Sequence, residues 1–261
     1  MIKNVRLTVA YDGTAYAGWQ IQKQQPTIQG ILQQALHQLL REEISLIGCS
    51  RTDAGVHALN YTANFFTETS IPAEKIAAAV NPLLPRDIAV KNSAEAEPSF
   101  HATHSSTGKT YRYYFYYART ASPFWENRAW HVKQPLDFAA MTQAARFFIG
   151  EHAFDAFRAV GGYAKNTVRR VTHSEVTQNI AFMAEDAPAF CYEISGNGFL
   201  YNMVRIITGT IVYAGLKKIP PDGIPEILRA KKRAKAGITA PACGLYLVRS
   251  FYEKSQCPHC P

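Results

Sequence analysis

The segment Gly48-Cys49-Ser50-Arg51-Thr52-Asp53-Ala54-Gly55-Val56-His57-Ala58 gathers an arginine, a hydroxyl and a carboxylate into one turn of small residues. A carboxylate there can serve as nucleophile or base if it is ionised, a state that a nearby opposite charge favours. The flanking glycines let a substrate approach the backbone closely. Thr52 and Asp53 also suit an ordinary turn, because an Asp side chain bonds its own backbone. Arg205 is the candidate opposing charge. It sits among Phe199, Met203, Ile206, Ile207 and Ile211 at helical spacing, and a cation embedded there needs a partner. The alternative is a surface arginine on the polar edge of that helix. His57 reads as a packed strand residue or a base.

Other patterns lead nowhere specific. Gly196-Asn197-Gly198 has Tyr201 where a dinucleotide fingerprint needs its third glycine. His101 and His104 have i, i+3 spacing but no evident third ligand, so no metal is expected. Cys257-Pro258-His259-Cys260 is a single pair at the chain end, read as a solvated tail. No cofactor motif emerges.

These residues need a framework, and composition bounds it. The chain has 261 residues, 47% of them hydrophobic, which excludes a disordered protein. The N-terminus lacks the apolar stretch of a signal peptide. The longest mostly apolar run, 203–216, is shorter than the roughly 20 residues of a membrane span. Five cysteines without framework spacing suit a reducing compartment. A soluble cytoplasmic protein is expected. Lys and Arg number 28 against 20 acidic residues, a net charge of +8 that suggests an anionic partner. Arg229, Lys231, Lys232, Arg233 and Lys235 crowd together, Lys217 and Lys218 precede them, and Arg169 and Arg170 stand mid-chain. With the aromatic content this favours nucleic acid over a merely solvated helix face.

Periodicity predicts strands at 3–11, 44–49, 56–67 and 87–91, and helices following Thr27 through Leu40 and over 73–80. This β-α-β-β-α-β order is that of a ferredoxin-like unit. A second set follows: strands at 109–118, 168–179, 190–195 and 245–251, and helices at 136–148, 199–214 and 225–235, the last one basic. The expected division is 1–105, 106–252 and a tail, 253–261, with a hinge in 92–108.

Residues 48–58 resemble the signature of the TruA-type tRNA pseudouridine synthases. The resemblance continues in Tyr11-Asp12-Gly13-Thr14, Gly18-Trp19-Gln20, Thr27-Ile28-Gln29-Gly30 and Lys109-Thr110-Tyr111-Arg112-Tyr113. It extends through Gly196–Leu200 with Met203-Val204-Arg205 and Gly209, and closes at residues 239–247. It implies an α+β pseudouridine synthase fold: two ferredoxin- or RRM-like halves forming a mainly antiparallel sheet, with helices on one face and a central basic cleft. It further implies Asp53 as catalytic nucleophile, Arg205 as its ion-pair partner, and Tyr111 as the residue that stacks on the base and moves a proton. Leu245 would pack on the flipped base and Arg51 would contact RNA. A homodimer acting on uridines 38, 39 and 40 of the tRNA anticodon arm is implied too. Isomerising uridine breaks N1–C1′ and joins C5 to C1′ without redox change, which agrees with the lack of a cofactor motif. The basic residues Arg229, Lys231, Lys232, Arg233 and Lys235 would bind RNA. The rivals are a non-catalytic RRM-like protein, against which the Arg-Thr-Asp turn speaks, and a synthase with another RNA target.

Overall fold

The computed structural model describes residues 2–162, 164–178 and 187–252, which fall into two compact units, 2–107 with 246–252, and 108–245. The Cys257-to-Cys260 tail lies outside the described residues.

The first unit opens with β1 (Lys3–Tyr11), whose Val5, Leu7 and Val9 alternate into the core. Thr27 then caps α1 (Ile28–Leu40) by accepting from the Gly30 N–H. The apolar stripe Ile28, Leu32, Leu36 packs inward. Next come β2 (Ile47–Gly48), β3 (His57–Thr67), α2 (Ile76–Val80) and β4 (Ile88–Ala96). β1 pairs antiparallel with both β3 and β4, and β2 pairs with β3, so the order is β4-β1-β3-β2, that of the ferredoxin-like unit.

Two strand bounds differ from expectation. β2 is two residues, not six, because α1 side chains take the preceding backbone: Gln29 Nε2 donates to the Leu46 carbonyl and Gln33 Oε1 accepts from its N–H. β4 runs on to Ala96, since Asn92, Ser93 and Glu95 pair with Thr8, Leu7 and Val5 despite their polarity. Residues 92–96 therefore belong to the sheet. On the other face of this sheet two asparagines are buried. Asn4 donates to the Glu97 and Phe100 carbonyls and Asn64 to Asn4 Oδ1, while the Ala102 N–H donates to Asn64 Oδ1. Segment 97–102 is thereby tied across the sheet, with every polar atom of these bonds satisfied.

The second unit contains β5 (Gly108–Tyr117), β6 (Trp130–Val132), α3 (Phe138–Arg146), β7 (Gly150–Ala153), β8 (Val168–Gln178), β9 (Ala189–Gly196), α4 (Met203–Gly215) and α5 (Ile224–Ala230). Its sheet order is β5-β9-β8-β7, with β6 parallel to β5. β6 and β7, of three and four residues, are too short to show a period in the sequence. Tyr113, Phe115, Tyr192 and Ile194 share the buried face with Met141, Ala145, Ile206 and Ile207 from α3 and α4. The opposite face holds a smaller cluster in which Trp125 stacks on Tyr116 at 5.1 Å. The last strand, β10 (Leu245–Phe251), returns to the first unit, where Tyr246 and Leu247 pair parallel with His57 and Ala58 of β3.

Two helices are corrected. α4 begins at Met203, because Asn202 is left-handed, with φ 59°. The basic helix ends at Ala230: Lys231 turns left-handed at φ 54°, and Arg233–Lys235 is a separate 3₁₀ turn. The buried stripe Ile224, Ile227, Leu228 stops there, leaving nothing apolar to hold further turns of like charges. Among the described residues no helix is long and apolar enough to cross a membrane.

α4 is nearly all buried, and at Gly209 it meets another backbone directly. A Cβ at Gly209 would lie 1.9 Å from the Ile238 carbonyl oxygen. In a free helix Gly209→Ala would gain about 1 kcal/mol. Here the overlap must reverse the sign, and we expect a net loss of about 1–3 kcal/mol, to be measured as a lowered urea midpoint at unchanged m-value.

Candidate functional site

In the first unit Asp53 lies in the turn between β2 and β3, partly buried, with Arg51 exposed beside it. This turn is locked to the loop that follows β1. The Trp19 N–H donates to the Thr52 carbonyl at 3.1 Å and the Gly55 N–H to the Tyr16 carbonyl at 3.3 Å. Tyr11 Oη and Thr52 Oγ1 share a buried bond of 2.8 Å. The approach is too close for side chains. A Cβ on Gly13 would stand 2.0 Å from the Val56 oxygen, and one on Gly18 2.3 Å from the Thr52 oxygen. Gly18 has φ +93°, so a side chain would be strained there as well.

His57 closes the lock. It is buried, stacks on Tyr246 at 4.5 Å, and accepts the Gly13 N–H at Nδ1, 3.1 Å away. That acceptance requires the ring proton on Nε2. Asp12 Oδ1 lies 3.2 Å from the same Nδ1, so a protonated ring would exchange the glycine bond for an ion pair. Tyr16 donates to Asp87 Oδ1 at 2.6 Å, and burial, then this carboxylate, push its phenol well above the usual range. The sequence offered Gly13 and Gly18 only as part of a motif; their role is to let two loops touch.

In the second unit Arg205 is the one charged side chain of α4. Its Nε donates to the Ala240 carbonyl at 2.7 Å and an Nη1 hydrogen to Asn202 Oδ1 at 2.7 Å, while its own carbonyl accepts the Ala240 N–H at 3.1 Å. The fork is thus held on two edges. The strap 236–240 that does the holding is seated by Gly237, whose N–H donates to Thr210 Oγ1 at 2.9 Å. Tyr113, fully buried, donates to the Pro241 carbonyl; burial raises its phenol pKa, with Cys243 adding to this and Arg205 opposing it. Leu245, also buried, follows Gly244, at which a Cβ would meet the Tyr113 ring at 2.6 Å. Tyr111 is buried two positions from Tyr113 and meets Phe199 edge-on at 5.3 Å. The unit therefore groups Arg205, Tyr113 and the strap leading to Leu245.

A family model described as tRNA pseudouridine synthase matches residues 7–105 and 144–253. The tRNA pseudouridine synthase A of Ruminiclostridium cellulolyticum is 49% identical over 251 residues, 96% of this chain and 100% of that protein. Its namesake in Acetivibrio thermocellus is 46% identical over the same shares. The chain belongs to the tRNA pseudouridine synthase family. It is therefore an isomerase that makes pseudouridine. Among solved structures, a chain of the archaeal box H/ACA sRNP Nop10-Cbf5 complex covers 93% of this chain and is itself covered over 47%, at 13% identity and a TM-score of 0.35.

The basic cluster of this synthase is less free than its charge suggests. Arg233 donates to the Gly237 carbonyl at 2.8 Å and to Thr239 Oγ1 at 3.2 Å, and burial lowers its guanidinium pKa. Lys235 pairs with Glu226 at 2.6 Å. Arg229 donates back to the Pro225 carbonyl at 3.3 Å, while Lys231 and Lys232 are exposed. Asn202 escaped the sequence reading, although a residue three before an arginine on a helix is within its reach. Asn202→Gly keeps the left-handed backbone and removes the amide that steadies the Arg205 fork. We expect wild-type thermal unfolding within about 1 kcal/mol and a fall of about tenfold in single-turnover pseudouridine formation, one broken positioning bond being worth about 1.4 kcal/mol.

Proposed function

We propose that this synthase converts uridines 38, 39 and 40 of the tRNA anticodon arm to pseudouridine with Asp53 as nucleophile. The observation that carries this reading is the locked turn. Asp53 sits on backbone fixed by two main-chain bonds, a buried hydroxyl pair and two glycine contacts, within a segment matched by the family model. A nucleophile acts fastest when it need not be ordered at the moment of reaction.

The target base must leave its stack, which costs a few kcal/mol. Tyr111 supplies a ring on which it stacks and a hydroxyl for proton transfer, and Leu245 an apolar surface. The N1–C1′ bond breaks, the base turns, and C5 joins C1′. C5 gives up its proton and N1 carries one in the product, so atoms balance without a cofactor. Arg205 is the proposed partner of the Asp53 carboxylate, its fork pre-aimed by Asn202 and Ala240. A guanidinium suits the task because it grips a carboxylate with two N–H groups at once. Arg51 contacts the RNA, and Arg229, Lys231 and Lys232 supply phosphate contacts. Arg233 and Lys235 strengthen the field, although each is already bonded within the protein. The resemblance to the TruA-type enzymes supports a homodimer working in the cytoplasm.

The test uses purified protein, unmodified tRNA transcript and EDTA, with pseudouridine mapped by carbodiimide labelling and primer extension. Wild type is expected to give stops at 38–40. Asp53→Asn should bind the transcript as wild type and give none. Arg205→Lys should lower kcat on the order of a hundredfold. Turnover by Asp53→Asn comparable to wild type would remove that residue from its role.

A further inference from the structure

The second unit carries two arginines, Arg158 and Arg169, whose hydrogen bonds among the described residues go to carbonyls. Arg158 donates to the Ala164 carbonyl at 2.8 Å, and Arg169 to the Asn166 and Val168 carbonyls at 3.0 and 2.6 Å. Among the described residues, neither lies within salt-bridge distance of a carboxylate. Asp155, the acid nearest to Arg158 in sequence, accepts from Thr167 Oγ1 at 2.9 Å. Both arginines are partly buried, and burial pulls the Arg169 pKa down. A desolvated cation without a counter-charge is costly to keep, and a planar guanidinium matches phosphate oxygens.

Aromatic surface adjoins these charges. Tyr201 is 47% exposed. A Cβ on Gly162 would lie 3.2 Å from Tyr201 Cβ and 3.7 Å from Arg158 Cδ, so the two side chains start from either side of the same glycine. The Tyr201 carbonyl also accepts the Ala159 N–H at 3.2 Å, tying the loop of Arg158 to the backbone that carries the ring. A Cβ on Gly198 would lie 3.6 Å from Arg169 Nε, which places the second arginine against the segment leading to Tyr201. That segment includes Phe199, the edge-on partner of Tyr111. Strand alternation keeps Arg169 on the face of buried Val171 and sends Arg170 to the other. On the same loop Val160 is 99% exposed.

The geometry points to a clamp for one single-stranded RNA nucleotide next to the reacting uridine, with its phosphate on Arg158 and Arg169 and its base stacked on Tyr201. The clamp deepens the reading of this chain as a tRNA-acting synthase and rests on it. It places the RNA contact here, where charges are uncompensated, as well as at the basic run, where Arg233 and Lys235 are already engaged.

Binding of unmodified tRNA transcript is measured by fluorescence anisotropy at several salt concentrations, without turnover. Tyr201→Ala should weaken Kd roughly five- to a hundredfold with an unchanged salt slope, because stacking releases no counterions. Tyr201→Trp should restore it. Arg169→Gln should weaken binding and lower the salt slope by about 0.7, the value for one phosphate on a single strand. Tyr201→Ala within twofold of wild type, or a loss equally large on a fully paired RNA hairpin stem, overturns the clamp. Equal slopes for wild type and Arg169→Gln overturn its phosphate half. Pseudouridine yield from the wild-type preparation judges the catalytic reading separately, so failure of one is visible without the other.

Discussion

The contact between the loop after β1 and the turn before β3 is made backbone to backbone, and the candidate nucleophile depends on it. Gly13 and Gly18 sit where any Cβ would fall 2.0–2.3 Å from a carbonyl oxygen. Glycine is entropically expensive to order, by roughly 0.5–1 kcal/mol against alanine. At these two sites the cost is offset by the main-chain bonds that the proximity allows, each worth about 1 kcal/mol net, and by the buried Tyr11–Thr52 pair. His57 adds a bond to Gly13 and a stacked contact with β10. The last strand of the chain therefore helps to hold the first loop.

The same device recurs in the second unit with a different purpose. Gly209 and Gly237 let the strap 236–240 lie on α4 without intervening side chains, and the strap then supplies the Ala240 carbonyl that takes the Arg205 Nε. A partly buried arginine loses hydration and keeps its place when its N–H groups find oxygens in defined directions. Two neutral oxygens, from Ala240 and Asn202, satisfy part of the fork without cancelling its charge. The direction of the guanidinium is thereby fixed in advance, which is the condition for electrostatic preorganisation.

Much of this was legible in the sequence. Alternation exposed β1 and the 3.6-residue stripe exposed α1, because each buries one continuous face. The Arg-Thr-Asp turn stood out by residue type, and Arg205 by being charged among apolar neighbours. What escaped was whatever depends on contacts distant in sequence. The α1 glutamines that cut β2 to two residues act from 17 and 13 positions away. Short β6 and β7 exist only because a neighbouring strand offers a free edge. Asn202 looks like any polar residue until its φ and its bond to Arg205 are known.

Charge shows the same limit most sharply. The densest run, from Arg229 to Lys235, is the obvious RNA surface when cations are counted along the chain. Yet a cation attracts phosphate in proportion to the charge its surroundings leave uncompensated, and a surface ion pair such as Lys235–Glu226 spends part of that field locally. Arg233 is bound up in holding the strap. The sparse arginines at 158 and 169 bond only carbonyls among the described residues, beside an exposed ring. A carbonyl satisfies hydrogen-bonding capacity and leaves the unit charge intact. Affinity for a polyanion follows where charge remains after folding, so two isolated arginines can outweigh a cluster that the fold has already put to use.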